Sequence, residues 1–198
     1  MKKQVETSVS FFPSHPFGPF YDQDSEILIL GSFPSPVSRQ EGFYYGHKQN
    51  RFWKILAGIF KENIPQTIEE KKTFLTKHGI ALYDAIESLE IQGAADSSIQ
   101  NAKPTDLSNI LKKSKIHVVL CNGKSAYKYY MENKKDNLPV ISLPSSSSAN
   151  ASYSLEKLVC AWEKRLRNVD SLKYLFKVIC FNVIWFLNLK RRNLLGYR

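Results

Sequence analysis

With 198 residues, 43% of them hydrophobic and 13% aromatic, the chain has room for one domain with a proper core but is short for two. Three scattered cysteines, Cys121, Cys160 and Cys180, are too few for a disulfide framework, a zinc site or an iron–sulfur cluster, and a reduced, cytoplasmic compartment is expected. The net charge of +10 is uneven: residues 164–198 hold nine Lys/Arg and one acid and so supply +8 of it, which leaves basicity a weak argument for nucleic-acid binding by the rest.

In chain order, Met1–Ser10 has a Lys pair but no apolar run, so no signal peptide is expected. Ser10–Asp22, rich in Pro, Phe and Gly, reads as an extended arm over the core. Four short apolar or β-branched runs predict strands: Ile27–Leu30, Ile80–Tyr83, Ile116–Cys121 and Val140–Leu143. Helical patterns lie between and after them, over Arg51–Phe60, Ile68–His78, Thr105–Lys113, Lys124–Asn133 and Ser154–Leu166. The last begins at a good N-cap serine and carries Leu155, Leu158, Val159 and Trp162 on one stripe. Strands apolar enough to be buried on both faces, alternating with helices, predict a three-layer α/β/α sandwich around a central, mainly parallel four-stranded sheet.

Ligands of such sheets bind beyond the carboxyl ends of the strands. Those ends read Gly31-Ser32-Phe33-Pro34, Tyr83-Asp84, Asn122-Gly123 and Pro144-Ser145-Ser146-Ser147-Ser148, so turn formers and hydrogen-bonding side chains gather on one edge. The segment Phe43-Tyr-Tyr-Gly-His-Lys-Gln-Asn-Arg-Phe-Trp53 adds tyrosines, a histidine and an asparagine at the mouth of a helix. Its plain structural reading makes Phe52 and Trp53 core anchors and Asn50 an N-cap. Asn122-Gly-Lys-Ser125 ends like a P-loop, but Val118 stands where the Walker A glycine belongs, so nucleotide hydrolysis is rejected. His15, His47, His78 and His117 show no ligand spacing with acids or cysteines; neither a metal nor a cofactor is expected.

These residues resemble the uracil-DNA glycosylase superfamily. Asn50-Arg-Phe-Trp-Lys54, behind a Gly-x-x-Pro turn, is similar to the mismatch-specific uracil/thymine glycosylases. The DNA-deoxyinosine (hypoxanthine-DNA) glycosylase branch is a closer match, with Gly-Ser/Thr-Met/Phe-Pro followed by Tyr-Tyr-Gly-His-x-x-Asn-x-Phe-Trp. That branch also carries Leu-Trp-Asp, Gly-Ser-x-Asp-Ser-x-Ile and Leu-Pro-Ser-Thr-Ser-Pro-Ala-Asn. This chain has Leu82-Tyr83-Asp84, Gly93-Ala94-Ala95-Asp96-Ser97-Ser98-Ile99 and Leu143-Pro-Ser-Ser-Ser-Ser-Ala-Asn150.

The resemblance implies a monofunctional enzyme that hydrolyses the N-glycosidic bond of a deaminated base, hypoxanthine first and uracil second, flipped out of double- or single-stranded DNA. Asn50 takes the catalytic place, since Ser32 and Phe33 stand where other branches carry an Asp or Asn that orients the water. Its amide would orient a water or steady the departing base. Tyr45 is the implied stacking surface, with Gly31, Ser32, Phe33 and Pro34 shaping the pocket. Asp84 either accepts the ring N–H of the base or pairs with backbone amides. Ser145, Ser146, Ser147 and Ser148 are suited to phosphate oxygens, with Asn150 beside them, and Ser148 replaces the family's proline. The rival readings are a mismatch-specific uracil/thymine glycosylase and a catalytically silent α/β nucleic-acid-binding module. The protein is expected to act as a monomer in the cytoplasm, nucleoid-associated in a prokaryote.

The expected organisation is a glycosylase domain over 1–167, its N-terminal arm 1–25, and an atypical basic and aromatic extension over 168–198. Tyr174–Leu189 is a mainly apolar, aromatic stretch of sixteen residues that contains Lys177, Asn182 and Asn188, short of the roughly 20 a spanning helix needs. An appended, poorly packed segment is the leading reading, ahead of an added helix, an interfacial membrane contact or an extension from a shifted reading frame.

Overall fold

The computed structural model describes residues 9–12, 14–92 and 99–166. The chain divides into two compact units, Met1–Trp162 and Glu163–Arg198, and the description that follows is of the first. The extension over 168–198 and the motif segment 93–98 lie outside the described residues.

Four strands build the central sheet: β2 (Ile27–Gly31), β3 (Ile80–Asp84), β6 (Val118–Asn122) and β7 (Val140–Leu143). Their order is β3-β2-β6-β7, and every neighbouring pair is parallel. The strand runs are apolar for the reason anticipated. Leu28, Ile29, Leu30, Leu82, Val119 and Leu120 are all without solvent exposure, as a sheet covered on both faces requires. Around the sheet lie α1 (Pro36–Glu41), α2 (Phe52–Phe60), α3 (Ile68–Lys77), α4 (Ser108–Lys112), α5 (Lys124–Asn133) and a last helix, α6, over 155–166. The expected α/β architecture with its parallel four-stranded sheet is thus present.

Local chemistry sets the helix ends. Thr67 accepts from the N–H of Glu70, whose carboxylate accepts in turn from the N–H of Thr67, so a complete capping box starts α3. Gly79, at φ 61°, turns the chain from α3 into β3. The predicted helix over Thr105–Lys113 shrinks to Ser108–Lys112. Thr105 is held instead to the strand ends, its N–H donating to the Ala85 carbonyl and its hydroxyl to that of Asp84.

The structure also contains elements that the sequence pattern did not announce. A second sheet pairs β1 (Val9–Phe12), β4 (Ile86–Gln92) and β5 (Ile99–Pro104) in the order β1-β4-β5, all antiparallel. The arm is therefore a strand at its start and extended only after it, where Phe20 bridges Leu82 at the edge of the central sheet. Register shifts between Ile86, Ser88 and Glu90 break the alternation of β4, which is why its amphipathic pattern is illegible. Helix α1 is a single capped turn and a half, with Ser35 at its N-cap, Pro36 at its start and Gly42 in the left-handed region at its end. Among the described residues no helix is long and apolar enough to cross a membrane.

Candidate active site

Parallel pairing puts the carboxyl ends of all four strands on one edge: Gly31 lies opposite Asp84, and Asn122 opposite Leu143. A cleft of about 520 Å³ opens there, a volume typical of small-ligand sites (roughly 300–1,000 Å³). Its lining includes Gly31, Ser32, Phe33, Pro34, Tyr45, Asn50, Asp84, Asn122, Ser145, Ser146 and Ser147. Residues from every strand end and from the Tyr44–Trp53 segment therefore share one space.

The geometry around Asn50 is closed on one side and open on the other. Its Oδ1 accepts from the Phe52 N–H (3.0 Å) and from the Ser146 hydroxyl (2.9 Å). A backbone N–H can only donate, so the amide atom facing Phe52 is the oxygen. Asn122 supports the arrangement from β6: its Nδ2 donates to the Ser146 hydroxyl (2.9 Å) while its Oδ1 accepts from the Ser146 N–H (2.9 Å). The chain of donors runs Asn122 to Ser146 to Asn50, and no described residue takes the Asn50 Nδ2. The free end of the amide is thus a donor. Asn50 also caps α2 in substance, through Phe52, although the cap position itself falls at Arg51.

Tyr45 is a rigid platform. Its ring stacks on buried Phe52 at 3.7 Å between centroids and 15° between planes, which leaves the other face to the cleft. Its backbone sits at φ 53°, a region that a tyrosine occupies at a cost of about 1–3 kcal/mol. The hydroxyl is buried beside Asn122 without an aligned hydrogen-bond partner. Burial, and then the charge of Asp84, push this phenol far above its ordinary pKa, so it remains a neutral donor.

Gly31 is required by this crowding. A Cβ there would stand 2.1 Å from Asp84 Oδ1 and 3.3 Å from the Tyr45 hydroxyl. Asp84 itself is buried, and its Oδ2 meets Nε2 of His15 at 3.0 Å.

The serine loop is held from beneath by Arg51. Its N–H and Nε donate to the Ser146 carbonyl (3.1 and 3.3 Å), Nη2 to the carbonyls of Asn150 (3.0 Å) and Ser147, and Nη1 to that of Tyr153. Trp162 of α6, fully buried, donates Nε1–H to the Pro144 carbonyl at 2.9 Å. Within the loop, the Ser145 hydroxyl accepts from the Ser147 N–H (3.2 Å) and the Ser147 hydroxyl from the Ala149 N–H (3.3 Å).

The sequence model of the uracil DNA glycosylase superfamily matches residues 19–167. The chain belongs to this superfamily. A protein of Methanosarcina acetivorans named hypoxanthine DNA glycosylase is 33% identical over 149 residues, covering 74% of this chain and 94% of its own. One of the same name from Methanosarcina barkeri is 32% identical over 154 residues, covering 76% and 96%. The fold is similar to the solution NMR structure of a candidate uracil DNA glycosylase from Methanosarcina acetivorans. That likeness has a TM-score of 0.67 at 31% identity and covers 78% of this chain and 96% of the other.

Within the superfamily frame, the expected site residues divide into two groups. Gly31, Ser32, Phe33, Pro34, Tyr45, Asn50 and Asp84 all line the cleft, together with Ser145, Ser146 and Ser147. Ser146 is wholly buried, and its hydroxyl donates to Asn50 Oδ1. Ser148 and Asn150 lie outside the lining, and Asn150 closes the loop on itself: Nδ2 donates to the Ser145 carbonyl, and Oδ1 accepts from the Ser152 hydroxyl. Three residues came without a role from the sequence: His15, Arg51 and Asn122. Asn122 was visible at a strand end; the other two act across 69 or more positions, which no local pattern reveals.

Proposed function

We propose that this chain is a monofunctional DNA glycosylase that hydrolyses the N-glycosidic bond of deaminated bases, hypoxanthine foremost. The observation that carries the reading is the single cleft at the strand ends. There a stacking ring (Tyr45), a free amide donor (Asn50) and a buried carboxylate (Asp84) surround a space of base size. The names of the Methanosarcina relatives favour hypoxanthine over a mismatch specificity or a silent binding module.

A base reaches such a cleft only when flipped out of the stack. Tyr45 then lies against its face, and Asp84 accepts its ring N–H. As the glycosidic bond breaks, negative charge grows on the departing base. A fixed N–H donor that need not reorient stabilises that charge or holds the incoming water, and Asn50 Nδ2 is such a donor. Ser145, Ser147 and Ser148 are proposed to take phosphate oxygens on the outer side of the loop, with Ser146 as a support for Asn50.

The test incubates the full chain with duplexes containing deoxyinosine, uracil or a G·T mismatch and scores strand breaks after alkali. Excision from deoxyinosine is expected to lead, and breaks should appear only after alkali, because a glycosylase without lyase chemistry leaves the abasic backbone whole. DNA binding without excision on any substrate would overturn the reading in favour of the silent module. Asn50→Ala is expected to lower the single-turnover rate by about 10²–10³, the usual cost of one transition-state donor. Its thermal melt should stay near that of the parent.

A further inference from the structure

Deamination makes the same change in two different bases. Adenine and cytosine each carry a ring nitrogen with a lone pair (N1 and N3); hypoxanthine and uracil carry an N–H at those atoms. A carboxylate only accepts hydrogen bonds, whereas a protonated carboxyl also donates. At the ring nitrogen, therefore, the ionised form of a carboxyl group suits the deaminated base, and the protonated form suits the undamaged one. Which form Asp84 holds decides what the cleft reads.

His15 stands at that decision. The side chains of His15 and Asp84 are 2% and 5% exposed, with Nε2 and Oδ2 at 3.0 Å. The other imidazole nitrogen, Nδ1, lies against the Phe17 carbonyl, with the Phe17 N–H farther off at 3.4 Å. Nε2 thus carries the hydrogen that faces the Asp84 carboxylate. Rings fix its place: Phe17, Phe33, Tyr83 and Tyr44 have centroids 5.0, 5.9, 4.8 and 6.3 Å away. Glu87 of β4 accepts the His15 backbone N–H at 3.4 Å and the Tyr83 hydroxyl at 2.8 Å. Among the described residues, the titratable groups around the imidazole are Asp84, Tyr83, Glu87 and Tyr44. Burial opposes charge on Asp84, and a hydrogen bond donated to the carboxylate favours it.

We infer that His15, carried on the N-terminal arm, is a positioning residue that keeps Asp84 a carboxylate at the cleft, so that the site reads the ring N–H created by deamination. The inference rests on the reading of Asp84 as the acceptor for the base. It makes the arm part of the active site rather than a wrapping of the core.

Single-turnover excision of hypoxanthine between pH 5.5 and 9 tests it in the wild type, His15→Asn, His15→Phe and Asp84→Asn. With that donor gone, Asp84 is expected to take up a proton at a higher pH. Both His15 variants should be slow in the acidic half of the range and regain most of the wild-type rate at pH 9, their acid limb moved up by about one to two pH units. His15→Asn keeps a polar side chain of modest size and serves if His15→Phe fails to fold. A scaled-down profile of wild-type shape in both variants would mean a structural role only and overturn the inference. Asp84→Asn is expected to be slow at every pH. Wild-type rates in Asp84→Asn would sink the Asp84 reading, whereas a slow Asp84→Asn beside unshifted His15 variants would sink the role of His15 alone. In the unaltered protein, infrared difference spectra against Asp84→Asn should show no protonated-carboxyl band for Asp84 at neutral pH, and its presence would equally overturn the inference.

Discussion

At the scale of single residues, the orientation of one amide governs what the cleft can do. Asn50 has its carbonyl oxygen tied twice, to Phe52 and to Ser146, so rotation of the amide would set an NH2 against a backbone N–H. Ser146 is the lever on that orientation, because Asn122 fixes both its N–H and its hydroxyl. Ser146→Ala removes one of the two bonds that hold the amide and leaves the one to Phe52. The single-turnover excision rate is expected to fall about fivefold, as one hydrogen bond of about 1 kcal/mol implies. Affinity for substrate DNA should be unchanged, because the hydroxyl is buried away from the solvent face. Gel-shift titration beside rapid-quench kinetics separates the two, and a change in affinity alone would contradict the assignment.

At the scale of elements, legibility followed from whether an element's reason is local. Strands β2, β3 and β6 were readable because burial on both faces writes a continuous apolar run, and the half-buried edge strand β7 was readable from its β-branched Val140 and Ile141. The antiparallel sheet was not, since β5 (Ile-Gln-Asn-Ala-Lys-Pro) is polar and β4 is out of phase with itself at its register shifts. The cleft shows the same division. Gly31, Tyr45, Asn50 and Asp84 stand at strand ends or a helix mouth, where topology alone puts ligands. The pairings of His15 with Asp84 and of Arg51 with the serine loop needed the folded chain. Arg51 permits a prediction at this scale, because its planar fork reaches the Ser146, Ser147, Asn150 and Tyr153 carbonyls at once. A lysine ammonium has no fork to span them, so Arg51→Lys should free the loop. Loss of charged hydrogen bonds worth about 1.5–3 kcal/mol each should lower the melting temperature, and equilibrium affinity for duplex DNA should drop with it. The excision rate at saturating protein should change far less, since Asn50 keeps its bonds to Phe52 and Ser146.

At the scale of the whole molecule, half of the net charge lies beyond the residues that match the superfamily. The superfamily match ends at residue 167, and the Methanosarcina relatives are covered over 94% and 96% of their lengths by 149 and 154 residues of this chain. Residues 168–198 nevertheless hold six Lys/Arg and one acid, and so supply +5 of the net +10. Lysine and arginine that neutralise phosphates release counterions, which gives binding a steep dependence on salt but carries no information about the base. If the extension is an electrostatic appendage, ending the chain after Arg167 should leave single-turnover excision within about twofold of the parent, as for changes far from a site. The logarithmic salt slope of binding to undamaged duplex should become shallower, and the affinity at low salt weaker. The paired measurement is decisive because the two possible roles move different quantities. An electrostatic segment alters the slope and leaves the rate. A segment that completes the catalytic unit lowers the rate at every salt concentration, including those at which binding is saturated.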